Sequence, residues 1–300
     1  MTTDNGKPGL APWWHDPAAP VDLSNPKAYA WLKGKYQFLV DTYGVDGFKL
    51  DTGDGRYRRD EFQTFAPMTQ TEYTDAFLAL GADFEYNEYK VGWSAQQLGI
   101  VQRLRDKAPE WTGYEGMDLI VSHGVTLSLL GYPYWSPDMI GGGWNTPFQD
   151  PEWEGMDEEL FIRWTQASTF MPMMQFSYGP WNLSQETVAI CRQYMELHQQ
   201  LGAYLYALAQ DAQQTGMPMT QPLFFADPRD PICYQRPNQF LLGERFMIAP
   251  VLAKGQTALD VYLPAGTWKD FWSEALYPGK TWLRDYAAPL EKLPIFIRVE

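Results

Sequence analysis

Three hundred residues, 45% of them hydrophobic and 16% aromatic, supply a sizeable core and exceed one minimal domain. With 37 acidic residues against 23 basic ones the net charge is −14, which argues against a nucleic-acid footprint or an anionic membrane surface and leaves room for a neutral partner such as a sugar. The chain has no long apolar run and no signal-like start, and only Cys191 and Cys233, without metal-ligand spacing. No transmembrane helix, disulfide framework or metal is therefore expected, and a reducing cytoplasm is the default location.

In chain order, a strand ending near Trp13-Trp14 is expected first. Asn25 then caps a helix from Pro26 to about Tyr43, because its side chain can accept from the first free N–H groups and proline is suited to the first turn. A strand over Asp46–Leu50 delivers Asp51. A helix near Thr71–Leu80 precedes a strand over Asp83–Tyr89, and the strand Gly99–Arg105 delivers Asp106. A helix near Met117–Leu129 leads into a strand Leu130–Trp135. A helix near Asp157–Thr169 leads into a strand Pro172–Ser177, and one long helix covers Gln185–Gln213. Apolar strands alternating with helices give an α/β fold in which residues 1–215 form part of a parallel (β/α)8 barrel, its C-terminal portion.

The pattern then changes. Phe224–Phe225, Gln239–Leu242, Phe246–Val251, Leu259–Leu263 and Ile295–Val299 are short β-type runs separated by turn residues, an antiparallel β-sandwich over residues 216–300. About five or six barrel strands can be counted where a closed barrel requires eight. The expectation is that an N-terminal segment or another chain supplies the remainder, and that open edges associate or aggregate without it.

Carboxylates at the C-terminal ends of barrel strands lie on the active-site face. Asp51 and Asp106 are both so placed, and a converging pair of carboxylates suits glycoside chemistry, although an aspartate after a strand also serves as a plain loop or cap residue. Lys49, two residues before Asp51 on the same strand face, is costly to bury without a purpose and is expected to hold Asp51 ionised. Glu88, near the end of its strand, is a weaker candidate. Asp138 follows a strand and Trp181 lies just past the last one, each equally compatible with a turn or packing role. His15, His123 and His198 share no metal-binding spacing, and no Gly-x-Ser-x-Gly elbow or phosphate loop occurs.

Several segments carry a family resemblance. Gly47-Phe48-Lys49-Leu50-Asp51 is similar to the nucleophile motif of glycoside hydrolase family 31. The run Gly131-Tyr132-Pro133-Tyr134-Trp135-Ser136-Pro137-Asp138-Met139-Ile140-Gly141-Gly142 resembles an α-galactosidase-like branch of it. Phe161-Ile162-Arg163-Trp164, Gln239-Phe240-Leu241-Leu242-Gly243 and Val261-Tyr262-Leu263-Pro264-Ala265-Gly266 continue the match in order. The resemblance implies a retaining α-glycosidase without cofactor: Asp51 as nucleophile, Asp106 as acid/base, Arg103 and Trp14 against the sugar, and Asp138 near the pocket. Double displacement asks for carboxyl groups about 5–5.5 Å apart, with the acid/base the weaker acid of the two.

Two departures stand out. Gln175-Phe176-Ser177-Tyr178 replaces the family's usual Arg-Asn-His, in keeping with the branch, and Lys90 stands where close relatives carry arginine. Terminal α-galactosides are expected first as substrates and α-glucosides next. The alternatives are an α-transglycosylase, or a truncated chain that binds sugar or is inactive.

Overall fold

Asn25 begins the first helix of the computed structural model, which describes residues 1–13, 16–92, 94–143 and 155–299 in two units, Met1–Arg103 and Leu104–Glu300. Its side chain accepts from the Lys27 N–H at 3.0 Å, and the helix, α1, runs Pro26–Tyr43 and stops at Gly44. β1 (Gly47–Leu50), α2 (Gln70–Gly81), β2 (Tyr86–Tyr89) and β3 (Val101–Arg103) complete the first unit. Thr69 and Glu72 form a reciprocal capping box at the start of α2. The three strands are parallel in the order β1-β2-β3, with Lys49 opposite Glu88 and Glu88 opposite Val101.

Strand alternation separates two kinds of chemistry here. Lys49 and Glu88 share one face of the strands. On the other, Leu50 and Tyr89 are buried, and Asn87 takes the Phe48 N–H while donating to the carbonyls of Gly81 and Phe84. Helix α1 buries none of its residues, and Trp31, Phe38 and Tyr43 are exposed. No strand forms among the described residues around Trp13. Ala11 and Ala18 instead exchange both backbone hydrogen bonds in an isolated antiparallel bridge.

The second unit opens with α3 (Ile120–Leu129) and β4 (Trp135–Ser136), followed by α4 (Glu158–Thr169), α5 (Gln185–Gln200) and α6 (Gly202–Thr215). The strand expected over Leu130–Trp135 is reduced to Trp135–Ser136. Gly131 sits at φ 88, where a left-handed turn leaves Leu127 to accept the Tyr132 N–H. Trp135 is fully buried beside Gly124, with its indole N–H on Ser128. The strand expected over Pro172–Ser177 contracts to one parallel bridge between Ile140 and Phe176. The long helix divides at Leu201, which ends α5 and caps α6.

Eight strands follow: β5 (Thr220–Pro222), β6 (Phe240–Leu242), β7 (Phe246–Ile248), β8 (Ala258–Leu263), β9 (Thr267–Asp270), β10 (Leu276–Pro278), β11 (Thr281–Ala287) and β12 (Ile295–Arg298). Phe224–Phe225 is part of a 3₁₀ turn rather than a strand. One antiparallel sheet has the order β10-β9-β12-β7-β6-β5, and β8 pairs with β11. Alternation divides the larger sheet between two cores. Phe240, Leu242, Phe246, Ile248 and Ile295 join the helical core of Phe161, Trp164 and Tyr194. Leu241, Met247 and Phe296 face Val261 and Leu263 of β8.

Arg163 of α4 ties these layers together. It is 1% exposed, and its guanidinium donates to the carbonyls of Gln256, Ala288, Pro289 and Lys292 at 2.7–3.2 Å.

Candidate active site

Asp51 follows the last residue of β1, and strand register gives it its neighbours. Leu50 pairs with Tyr89 and Tyr89 with Gln102, so the next residues, Asp51, Lys90 and Arg103, fall at one level at the strand ends. The Arg103 guanidinium donates to Asp51, and the Lys90 ammonium lies 3.6 Å from the same carboxylate. One pleat deeper, Lys49 reaches Glu88 at 3.0 Å and the Nε of Arg103 approaches Glu88 at 3.6 Å. Two carboxylates and three cations thus form a ladder, with Arg103 spanning both rungs.

Burial is uneven along this ladder, with the Lys49 side chain 35% exposed and that of Lys90 18%. The Arg103 side chain is 2% exposed and that of Glu88 12%, whereas Asp51 is 51% exposed. The inner groups neutralise one another, and the outermost carboxylate faces solvent with a fixed donor behind it. The turn after Asp51 is held as well. Thr74 donates its hydroxyl to the Gly53 carbonyl at 2.7 Å. Gly53 has φ 89, and a Cβ there would lie 2.2 Å from the Phe77 ring, so the backbone beside Asp51 admits glycine alone.

In the second unit, Asp106 is half-buried in the loop after Arg103. Its successor, Lys107, is 1% exposed and gives its backbone N–H to the carboxylate of Asp138 at 2.9 Å, while its carbonyl takes the Gly143 N–H at 2.8 Å. The Lys107 ammonium lies 3.2 Å from Nδ1 of His123 on α3. Burial pushes the Lys107 amine down from its ordinary value, against the pull of Asp138, Glu115 and Asp118. Burial, then the Lys107 charge, pushes the His123 imidazole down.

The sequence-derived candidates therefore divide. Asp51, Lys49, Glu88 and Arg103 meet in one cluster. Asp138 is fully buried at φ 71, with its carboxylate turned onto the backbone beside Asp106. Trp181 lies in a 3₁₀ turn, 79% exposed, its indole folded over Gly179. Trp14 and His15 lie outside the described residues. Sequence reasoning passes over Lys107, whose signal is a lysine adjoining the candidate Asp106 and followed by Ala108-Pro109. In sequence His123 is an ordinary surface or core histidine. Among the described residues no group of three His, Cys, Asp or Glu side chains is arranged to hold a metal ion, and no helix is long and apolar enough to cross a membrane.

Comparison with known proteins matches residues 1–208 to the glycosyl hydrolases family 31 TIM-barrel domain and residues 216–300 to the glycosyl hydrolase family 31 C-terminal domain. The chain is similar to the myogenesis-regulating glycosidase of Mus musculus, with 34% identity over 96% of this chain and 41% of that protein. It is 30% identical to the 1,3-alpha-isomaltosidase of Kribbella flavida over 95% of this chain and 41% of the relative. The cycloalternan-degrading enzyme from Trueperella pyogenes, solved in complex with a covalent intermediate, superposes with a TM-score of 0.84 at 25% identity, over 100% of this chain and 43% of that one. This chain thus spans about two fifths of the length of these relatives. A TIM-barrel-like α/β domain followed by an antiparallel sheet domain is the architecture common to them.

Proposed function

The chain belongs to glycosyl hydrolase family 31, and from that premise we propose that it is a retaining α-glycosidase working through Asp51 and Asp106. The observation that carries this reading is the solvent-facing carboxylate of Asp51 at the end of β1, held from behind by Arg103 and Lys90. A nucleophile has to present a lone pair in a fixed direction, and a guanidinium on one oxygen orients the carboxylate while leaving the other for attack.

In the first step an Asp51 oxygen forms a bond to the anomeric carbon as the glycosidic C–O bond breaks. Asp106 gives its proton to the departing oxygen. In the second, Asp106 takes a proton from water, whose oxygen displaces Asp51 and restores the starting configuration. The covalent intermediate bound to the Trueperella pyogenes enzyme supports such a path in a relative. Arg103 stays with Asp51 in this scheme, with Lys90 as a second cation beside the same carboxylate.

Terminal α-galactosides are proposed as the first substrate class, on the likeness of the Gly131–Gly142 segment to the α-galactosidase-like branch, and α-glucosides as the second. The deciding experiment measures hydrolysis of aryl α-galactoside and aryl α-glucoside by the purified chain. Asp51→Ala is expected to abolish turnover. Asp106→Ala is expected to lose roughly 10²–10⁴-fold on alkyl glycosides, yet little in the first step on aryl glycosides with good leaving groups, which need no proton. Near-wild-type rates in Asp51→Ala would remove the nucleophile assignment. An equal loss on both substrate types would remove Asp106 from the acid role.

A further inference from the structure

We infer that Lys107 is a positioning residue for Asp106, clamped between the Asp138 carboxylate and the His123 imidazole; the inference rests on the acid/base reading of Asp106. Lys107 is restrained at three points. Its backbone N–H is given to Asp138, its carbonyl receives the Gly143 N–H, and its ammonium reaches 3.2 Å to His123 Nδ1. Because Asp106 shares a peptide bond with Lys107, each restraint limits where the Asp106 side chain starts. Proton transfer depends steeply on that placement.

The chemistry of the contact assigns the histidine's form. An ammonium has three donors and no acceptor, so Nδ1 of His123 must offer its lone pair and the ring proton must reside on Nε2. A protonated His123 would turn an N–H toward the ammonium and place two positive charges side by side. The pair therefore holds one charge, on Lys107, opposite Asp138. Glu115 and Asp118 add to the attraction and Arg105 opposes it; His123 itself faces Lys107 and Asp118. Burying an ammonium is unfavourable unless it is paired, so a lysine that is 1% exposed beside a candidate proton donor calls for such an arrangement.

The test uses Lys107→Met and two substitutions at His123, read against Asp106→Ala. Lys107→Met is expected to lose about tenfold or more in kcat/KM on alkyl glycosides, with much less loss in kcat/KM on aryl glycosides of good leaving group, whose first step needs little protonation. His123→Leu removes the acceptor and is expected to behave in the same way. His123→Gln, whose amide oxygen can take the ammonium proton, is expected to recover most of the rate. Independently of turnover, the His123 ring followed by NMR is expected to titrate below the ordinary histidine value and to shift upward in Lys107→Met.

Equal losses on both leaving-group types, or no recovery in His123→Gln relative to His123→Leu, would overturn the positioning role. An unshifted His123 titration in Lys107→Met would overturn the pairing, and that measurement stands even if Lys107→Met turns nothing over. If Asp106→Ala itself shows no leaving-group dependence, the acid/base reading fails, an outcome distinct from failure at Lys107.

Discussion

Arg103 meets Asp51 through one nitrogen and approaches Glu88 with another, so a single buried guanidinium both directs the outer carboxylate and places a cation beside the inner one. Lysine in its place would keep a charge but lose the planar fork. Arg103→Ala is expected to lower kcat on aryl glycosides by about 100-fold through misplacement of Asp51, with Arg103→Lys falling between it and wild type. Equal rates for the lysine variant and wild type would mean that charge alone suffices. Most members of this cluster are legible one by one in the sequence, because Asp51 and Glu88 sit at or near strand ends, Lys49 is conspicuous inside a strand and Arg103 matches a family arginine; Lys90 stands out only as a departure from that family. Their pairing is not legible there. It follows from a register between strands far apart in sequence, which assigns Arg103 and Lys90 to Asp51 and Lys49 to Glu88. Lys107 escapes notice because a lysine in a loop is ordinarily solvated, and only its 1% exposure marks it.

Helices announce their ends more clearly than strands do. Asn25-Pro26 at one end of α1 and Gly44 at the other carry local backbone chemistry that needs no distant partner. Since α1 buries none of its residues, its start depends on the cap more than on packing. Asn25→Ala is expected to cost about 1 kcal/mol of local stability, seen as faster amide exchange in the first turn of α1. Unchanged protection there would show that proline and neighbouring contacts hold the turn without the cap. Strands depend on context. β4 and the Ile140–Phe176 bridge are the remnants of two longer runs, since Gly131 turns the chain in one and a single bridge satisfies the other. β10 and β11 are silent in the sequence because their mixed, partly exposed residues, such as Thr281–Ala287, carry little apolar periodicity, and β9 because its buried face pairs Trp268 with a charged Asp270.

Across the whole molecule, carboxylates held by specific hydrogen bonds give stability a direction in pH. Glu72 is held below the usual carboxylate value by the Thr69 N–H, Glu158 by the hydroxyls of Ser184 and Thr187, Asp230 by Tyr262, and Asp260 by the Asp285 N–H. Folded values below the unfolded ones mean stability present above about pH 4 and lost as pH falls through the folded values. His123 adds an earlier loss. Its folded value is depressed, so the fold favours the neutral ring and is weakened as pH drops below about 6.5. Tm measured from pH 8 to pH 3 is expected to decline gently below neutrality and steeply below about pH 4. A flat profile would contradict both. The two-domain order is readable from the switch in strand character near residue 216, whereas the join between α4 and the sheet domain is not. That join has a consequence for how such proteins diverge. The sheet domain is no interchangeable module, because four main-chain oxygens around residues 256 and 288–292 must fall where Arg163 can receive them. A graft from a relative would succeed or fail on the course of those two loops, whatever its overall likeness elsewhere.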